Sequence, residues 1–150
     1  MQKLELKIPP LLLVMVFALL MWFLSGMTSV AGAGLQMVAQ VAFVLALLVA
    51  LAGVVEFRRR RTTTNPMKPE AVSQVVSSGI YRYSRNPMYL GFLLALTGWA
   101  LWLSSALAWP MLVLFVLYMN RFQIAPEERV LTELFGDEYR QYQVRVRRWI

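Results

Sequence analysis

Two long segments of the chain contain no Asp, Glu, Lys or Arg, and apolar side chains dominate both of them. The first extends over 48 residues, from Ile8 to Val55, and the second over 35 residues, from Asn86 to Asn120. A helix that crosses a membrane needs about 20 apolar residues, within a range of roughly 17–25. The pattern therefore predicts an all-α integral membrane protein in which each uncharged segment contains two helices.

Small and polar residues interrupt each segment at the point where its two helices are expected to meet. Ser, Gly and Thr recur over residues 25–34 of the first segment, and Ser104-Ser105 interrupts the second. We expect four transmembrane helices, at about residues 9–25, 35–57, 88–103 and 107–122. The last two would form a tight antiparallel hairpin. One tilted helix over the whole second segment is the alternative, but it would be about 52 Å long, against a hydrocarbon core of roughly 30 Å.

The basic residues indicate the orientation of these helices. All 15 Lys and Arg residues lie in three segments, 1–7, 57–87 and 121–150. The two loops expected on the outer side carry none, and Lys and Arg are enriched on the cytoplasmic side of membrane proteins. We therefore expect one domain over residues 1–150 in an inner or cytoplasmic-type membrane, with both termini cytoplasmic. Its cytosolic parts would be residues 58–87 and a helical C-terminal segment, residues 123–150.

Composition removes several classes of chemistry. The chain has no Cys and no His, so it lacks thiolate nucleophiles, the commonest metal ligand and any Ser-His-Asp arrangement. We therefore expect no metal site. The net charge of +7 comes from basic residues that flank hydrophobic segments, so nucleic acid is not an expected partner. Ala31-Gly32-Ala33 resembles a signal-peptide cleavage site, but the apolar stretch before it is longer than the usual signal core.

The polar residues gather at the ends of the third and fourth expected helices. Asn86 and Pro87 suit the start of a helix, as do Pro126 and the acidic residues after it, while Gly136 suits a helix end. The basic and apolar mixture of residues 144–150 fits a segment lying on an anionic membrane surface. Helix capping and membrane anchoring alone could explain all of these residues.

The hairpin gives the same residues a second interpretation. It places residues 86 and 122 at the same membrane depth, so that Arg85 and Asn86 face the segment that carries Arg121, Glu127 and Glu128. Cations, a carboxylate pair, an amide and aromatic rings would then converge where water meets lipid. Such a group suits a small zwitterionic ligand with an aromatic ring, approached by a lipophilic partner from the bilayer.

Three blocks of sequence resemble the isoprenylcysteine carboxyl methyltransferase and phospholipid N-methyltransferase superfamily of integral-membrane enzymes. They are GIYRYSRNPMYLG at residues 79–91, EERVL at residues 127–131, and FGDEY at residues 135–139 followed by Tyr142. The resemblance covers about residues 65–150, and the first two helices carry no matching motif. It implies S-adenosylmethionine-dependent methyl transfer to a lipophilic membrane acceptor, such as an isoprenylcysteine carboxylate or a phospholipid.

The resemblance also implies particular residues. The cofactor would lie between the third and fourth helices, beneath the C-terminal segment, and would contact Val75, Val76, Tyr81, Asn86, Pro87, Met88, Tyr89, Glu127 and Glu128. Arg121, on the substrate side, and Glu127 are the candidate catalytic residues. Many relatives have His where this chain has Asn86, and Asn cannot carry a proton between groups. The identity of any general base, the acceptor and the oligomeric state stay open.

Two other functions are compatible with this layout. A nicotinamide-dependent membrane lipid reductase would need basic residues such as Arg82 and Arg85 to face the cofactor phosphates. In a non-enzymatic membrane interaction protein, the three blocks would be only helix caps and anchors.

Overall fold

The computed structural model describes residues 5–26, 33–59 and 72–150, and all regular structure in these ranges is helical. The helices are α1 (Pro10–Ser25), α2 (Ala33–Arg59), a 3₁₀ helix (Gly79–Arg82), α3 (Pro87–Leu103), α4 (Ala108–Tyr118), a π-helical turn (Met119–Ile124) and α5 (Ala125–Arg145). The all-α prediction is confirmed. The middle of the expected first loop, most of the cleavage-like tripeptide and residues 60–71 of the expected cytosolic segment lie outside the described residues.

Two helical stretches in the described ranges are long and apolar enough to cross a membrane. Gly34–Arg59 has 26 residues and contains an 18-residue window with a mean hydropathy of 2.7, and the stretch Ala108–Arg145 has 38 residues and contains such a window with a mean hydropathy of 1.2. Helices α1 and α3 are apolar but shorter, with 16 and 17 residues. Large apolar side chains on α1 and α2 are exposed, as helices that face hydrocarbon require.

Close packing against α2 fixes the position of α3. A Cβ atom on Gly91 would lie 2.9 Å from the carbonyl oxygen of Ala46 and 2.9 Å from the Cβ of Ala50. One on Gly98 would lie 3.1 Å from the Ala39 carbonyl oxygen. Glycine at these positions lets the two backbones approach closely, as small residues do between membrane helices. The C-terminal end of α2 therefore lies next to the start of α3.

Helices α1, α3 and α4 enclose the larger apolar cluster. Leu96 of α3 and Phe115 of α4 are fully buried in it, and the rings of Phe17 and Phe115 meet edge to face with centroids 5.5 Å apart. The indole of Trp99 donates a hydrogen bond to the Ala18 carbonyl at 3.0 Å. These contacts hold α3 and α4 side by side, as the hairpin prediction requires.

The fourth helix does not end at residue 122, where we expected it to end. Pro126 has no N–H to donate to the carbonyl of Phe122, four residues earlier, so a regular helix would leave that oxygen unpaired. The N–H of Leu6 takes its place, donating to the Phe122 oxygen at 3.1 Å. The wider π turn accommodates the proline, and Ala125 donates to the carbonyl of Asn120. Helix α4 thus continues through the turn into α5.

The backbone leaves helical geometry at Gly136, confirming the break predicted there. Its φ of 53° and ψ of −123° kink α5, and glycine adopts this region without a steric penalty. Beyond the kink, Tyr139 and Tyr142 are buried in a second cluster with Tyr81 and Val76. The Tyr142 hydroxyl donates to the Tyr81 carbonyl at 2.7 Å, so the kink returns the end of α5 to the 3₁₀ helix.

Candidate functional site

Two side-chain contacts bring the start of α3 and the start of α5 together. The hydroxyl of Tyr89, in the first turn of α3, donates a hydrogen bond to the carboxylate of Glu127 at the start of α5. The guanidinium of Arg85, just before α3, lies 3.1 Å from the carboxylate of Glu128. The juxtaposition of residues 85–89 with residues 127–128 that we expected from the hairpin is therefore present.

The two adjacent carboxylates have different partners. Glu128 is 8% exposed, and Arg148 binds it through two hydrogen bonds, Nε to Oε1 at 3.0 Å and Nη2 to Oε2 at 2.5 Å. Hydrogen bonding to Glu128 raises the pKa of Arg148. With Arg85 also in contact, Glu128 is compensated by two cations, whereas Glu127 faces the neutral hydroxyl of Tyr89. Burial raises the pKa of Glu127 to about 8, so a cationic ligand placed beside it would stabilise its carboxylate form.

The last five residues, 146–150, which we call the C-terminal tail, cross the start of α3. The N–H of Arg85 donates to the Arg147 carbonyl at 3.0 Å, and the Asn86 side chain donates to the Arg148 carbonyl at 3.0 Å. The Trp149 indole donates to the side-chain oxygen of Asn120 at 3.1 Å. These contacts dock the segment on the protein.

Asn86 occupies the position before α3 that we expected, with Pro87 as the first helical residue. The prediction that its side chain caps the helix is wrong, because that side chain makes no capping hydrogen bond. Its own N–H donates to the Ser84 hydroxyl at 3.1 Å, and its amide binds the C-terminal tail at Arg148. Asn86 therefore connects the start of α3 to the tail.

Tyr81 is part of the second buried cluster. Its side chain is 4% exposed, and its ring centroid is 5.1 Å from that of Phe57 at the end of α2. Burial raises the pKa of Tyr81, and the nearby Tyr142, Glu127 and Glu56 raise it further, so the phenol stays neutral. Within the described ranges its hydroxyl has no hydrogen-bond partner, and neither has the Nε of Arg85.

Four other residues that were expected at the cofactor pack against neighbouring parts of the protein: Pro87, Met88, Val75 and Val76. A Cβ atom on Gly53 of α2 would lie 3.4 Å from Cγ of Pro87 and 2.9 Å from Cγ of Met88, so both side chains face α2. Val76 is buried in the second cluster, and Val75 packs against it. These side chains support the walls around Tyr81 and Tyr89.

Arg121 lies apart from the two acidic residues with which sequence reasoning grouped it. Its guanidinium donates to Glu5 at 2.8 Å, and Arg129 binds the same carboxylate. Hydrogen bonding from Arg121 lowers the pKa of Glu5. The structure thus joins Arg121 to the N-terminal segment rather than to Glu127.

A groove of about 420 Å³ is lined on one side by Glu128 and Arg148. Small-molecule sites usually measure roughly 300–1,000 Å³. The remaining lining residues come from both halves of α5: Ala125, Arg129, Thr132, Glu133 and Gln143. Of the residues expected at the cofactor, only Glu128 lines this groove. In the described ranges, no group of three or more carboxylates is placed to hold a metal ion.

Sequence reasoning missed the partners that come from distant segments. Arg148 lies 20 residues from Glu128. Glu56 lies 22 residues from Ser78 and accepts a hydrogen bond from its hydroxyl. Each pair joins two different elements of the fold, so no local pattern marks these pairs. The available signal for the second pair was Glu56 itself, the acidic residue that ends the first uncharged segment.

Comparison with known proteins gives a consistent result. The family model described as phospholipid methyltransferase matches residues 35–138. A Haemophilus influenzae protein described as uncharacterized is 54% identical over 63 residues, which are 42% of this chain and all of that protein. Methanethiol S-methyltransferase 1 of Bradyrhizobium diazoefficiens is 39% identical over 67 residues, 45% of this chain and 22% of that enzyme.

The protein-S-isoprenylcysteine O-methyltransferase of Saccharomyces cerevisiae is 37% identical over 82 residues, 53% of this chain and 33% of that enzyme. The matched segments thus span a third or less of the named methyltransferases. No solved structure was found to match this chain. The superfamily resemblance stated from the sequence blocks is confirmed.

The docking of the C-terminal tail generates a prediction. Replacing Arg148 with Gln removes a charge-assisted hydrogen-bond pair, and such bonds contribute about 1.5–3 kcal/mol each. We expect faster hydrogen exchange at the Arg85 amide, which donates to the tail, with little change in the core of α3. Arg140→Gln, at an exposed ion pair on α5, is the matched control. Equal protection of the Arg85 amide in wild type and Arg148→Gln would show that this ion pair does not hold the tail.

Proposed function

The chain belongs to the phospholipid methyltransferase family, and we propose that it transfers a methyl group from S-adenosylmethionine to a lipophilic acceptor in the membrane. The observation that supports this most strongly is the Tyr89–Glu127 hydrogen bond, which joins the two sequence blocks at one place. The relatives named above act, by their names, on methanethiol and on isoprenylcysteine. The acceptor proposed for this chain is a lipid or a lipid-like molecule.

The residues around Tyr89 fit a zwitterionic cofactor. Glu127 can accept hydrogen bonds from an ammonium group, and the buried Nε of Arg85 can donate to a carboxylate. The Tyr81 hydroxyl can donate or accept. A buried polar group without a partner costs about 1–3 kcal/mol, so a ligand that pairs these atoms is stabilised at this place. Among the expected residues, we assign Tyr81, Tyr89, Glu127 and, in addition, Arg85 to direct contact.

The other candidate residues shape the site without direct contact with the cofactor. Glu128 and Asn86 hold the C-terminal tail over the start of α3, which limits the access of water. Val75, Val76, Pro87 and Met88 keep the tyrosines in place by packing. In this proposal Glu127 binds the cofactor, and Glu128 secures the tail.

S-adenosylmethionine, when bound, supplies an electrophilic methyl group on a sulfonium. The chain then has to align the acceptor with that group, and positioning of this kind contributes roughly 7–11 kcal/mol in well-oriented reactions. An amine acceptor must also lose a proton, for which Glu127 is the nearest base in the site, whereas a carboxylate acceptor needs none. We place Arg121 on the acceptor side, where its guanidinium attracts an anionic group in competition with Glu5.

The proposed arrangement in the membrane has four crossings, α1 to α4, with both termini in the cytoplasm. Helices α1 and α3 measure about 24 and 26 Å at 1.5 Å per residue, slightly less than a hydrocarbon core of roughly 30 Å. The distribution of Lys and Arg favours this orientation. The site then lies at the cytosolic boundary, where a lipid acceptor can enter from the side.

The cofactor assignment is tested with S-adenosylhomocysteine, which keeps the ammonium and carboxylate groups. We expect the purified protein to bind it, and Glu127→Gln to raise Kd at least tenfold, about 1.4 kcal/mol, because a neutral amide attracts the ammonium more weakly. Glu138→Gln, an exposed carboxylate on the same helix, should bind normally. Binding of NADPH instead would favour the reductase, and normal affinity in Glu127→Gln would refute the site assignment.

The orientation is tested with single cysteines, since the chain has none of its own. Ala106 is exposed between α3 and α4, and Glu138 is exposed beyond the Gly136 kink. We expect a membrane-impermeant maleimide, added to intact cells, to label Ala106→Cys and not Glu138→Cys. The opposite labelling pattern would reverse the proposed topology.

A further inference from the structure

Helix α2, which carries none of the matching blocks, reaches the candidate site through one carboxylate. The Ser78 hydroxyl donates a hydrogen bond to Oε1 of Glu56, near the cytosolic end of α2. Ser78 immediately precedes the 3₁₀ helix that carries Tyr81. The carboxylate therefore connects α2 to the segment that leads into the site.

The backbone at Gly79 is shaped around the same carboxylate. Gly79 has a φ of +57°, which glycine adopts easily and other residues rarely do. A Cβ atom at this position would lie only 2.7 Å from Oε2 of Glu56. One carboxylate oxygen thus accepts the Ser78 hydroxyl, while the other lies directly against the Gly79 backbone.

The turn at Gly79 determines where Tyr81 lies. The Tyr81 ring packs against Phe57, the residue after Glu56. The Tyr81 carbonyl accepts a hydrogen bond from the Tyr142 hydroxyl. The hydroxyl of Tyr81 is buried. A change in the turn would move this hydroxyl relative to Glu127.

We propose that Glu56 is a positioning residue for methyl transfer: it holds the Ser78–Gly79 turn and thereby fixes the position of the Tyr81 side chain, which packs on Phe57. Glu56 acts through Ser78 and Gly79 and does not touch the cofactor. This inference rests on the proposed function, because it assumes that Tyr81 and Glu127 bind S-adenosylmethionine. It adds α2 to the elements that determine cofactor affinity.

The test is a double-mutant cycle on S-adenosylhomocysteine affinity. Glu56→Leu and Ser78→Ala each remove the same hydrogen bond to a charged group, so each should raise Kd roughly tenfold. The double variant should bind no more weakly than the weaker single variant, because interacting residues give non-additive effects. Glu56→Gln keeps an oxygen that accepts the Ser78 hydroxyl and should stay within about twofold of wild type. Glu138→Gln is again the exposed control.

Melting temperatures measured in parallel separate positioning from stability. We expect Ser78→Ala, which removes a single oxygen, to melt close to wild type while its Kd rises; it also serves if Glu56→Leu fails to fold. Wild-type affinity in Ser78→Ala, or additive losses in the double variant, would overturn the role of Glu56 while leaving the proposed function intact. Failure of the wild-type protein to bind S-adenosylhomocysteine would overturn both.

Discussion

Burial of the Glu128 carboxylate is the constraint on which the site depends. A buried charge is tolerated only when it is paired, and removing one partner of such a pair is strongly destabilising. Glu128 takes its cations from the segment before α3 and from the C-terminal tail, through Arg85 and Arg148. Three segments far apart in the sequence are thereby held at one place. The other carboxylate, Glu127, accepts a hydrogen bond from Tyr89 where these segments meet.

The uninterrupted course of α4 into α5 gives the two carboxylates their different directions. Adjacent residues on a helix point about 100° apart, and Glu127 and Glu128 accordingly face different partners. Continuity past Pro126 requires a replacement for its missing N–H, and Leu6 of the N-terminal segment provides it at the Phe122 carbonyl. The geometry of the site thus depends on a backbone hydrogen bond from the opposite end of the chain.

Much of the fold was predictable because hydropathy and charge act locally. The apolar segments place α1, α2 and α3 within about two residues of their observed ends, and Gly136 marks the kink in α5. The continuity of α4 into α5 was not predictable, since a proline usually begins a helix and its compensating donor lies more than a hundred residues away. For the same reason the partners of Asn86, Arg121 and Glu56 did not emerge from spacing, although the meeting of Arg85 with Glu128 did.

The central claim is that this cytosolic junction transfers methyl groups to a molecule of the membrane. The most direct test incubates the purified protein with S-adenosylmethionine carrying an isotopic label on its methyl group, together with a native lipid extract. Our account predicts that label enters a hydrophobic product, identified by its added mass, and that protein denatured by heat beforehand produces none. If folded protein transfers no label to any component of the extract, the account is contradicted.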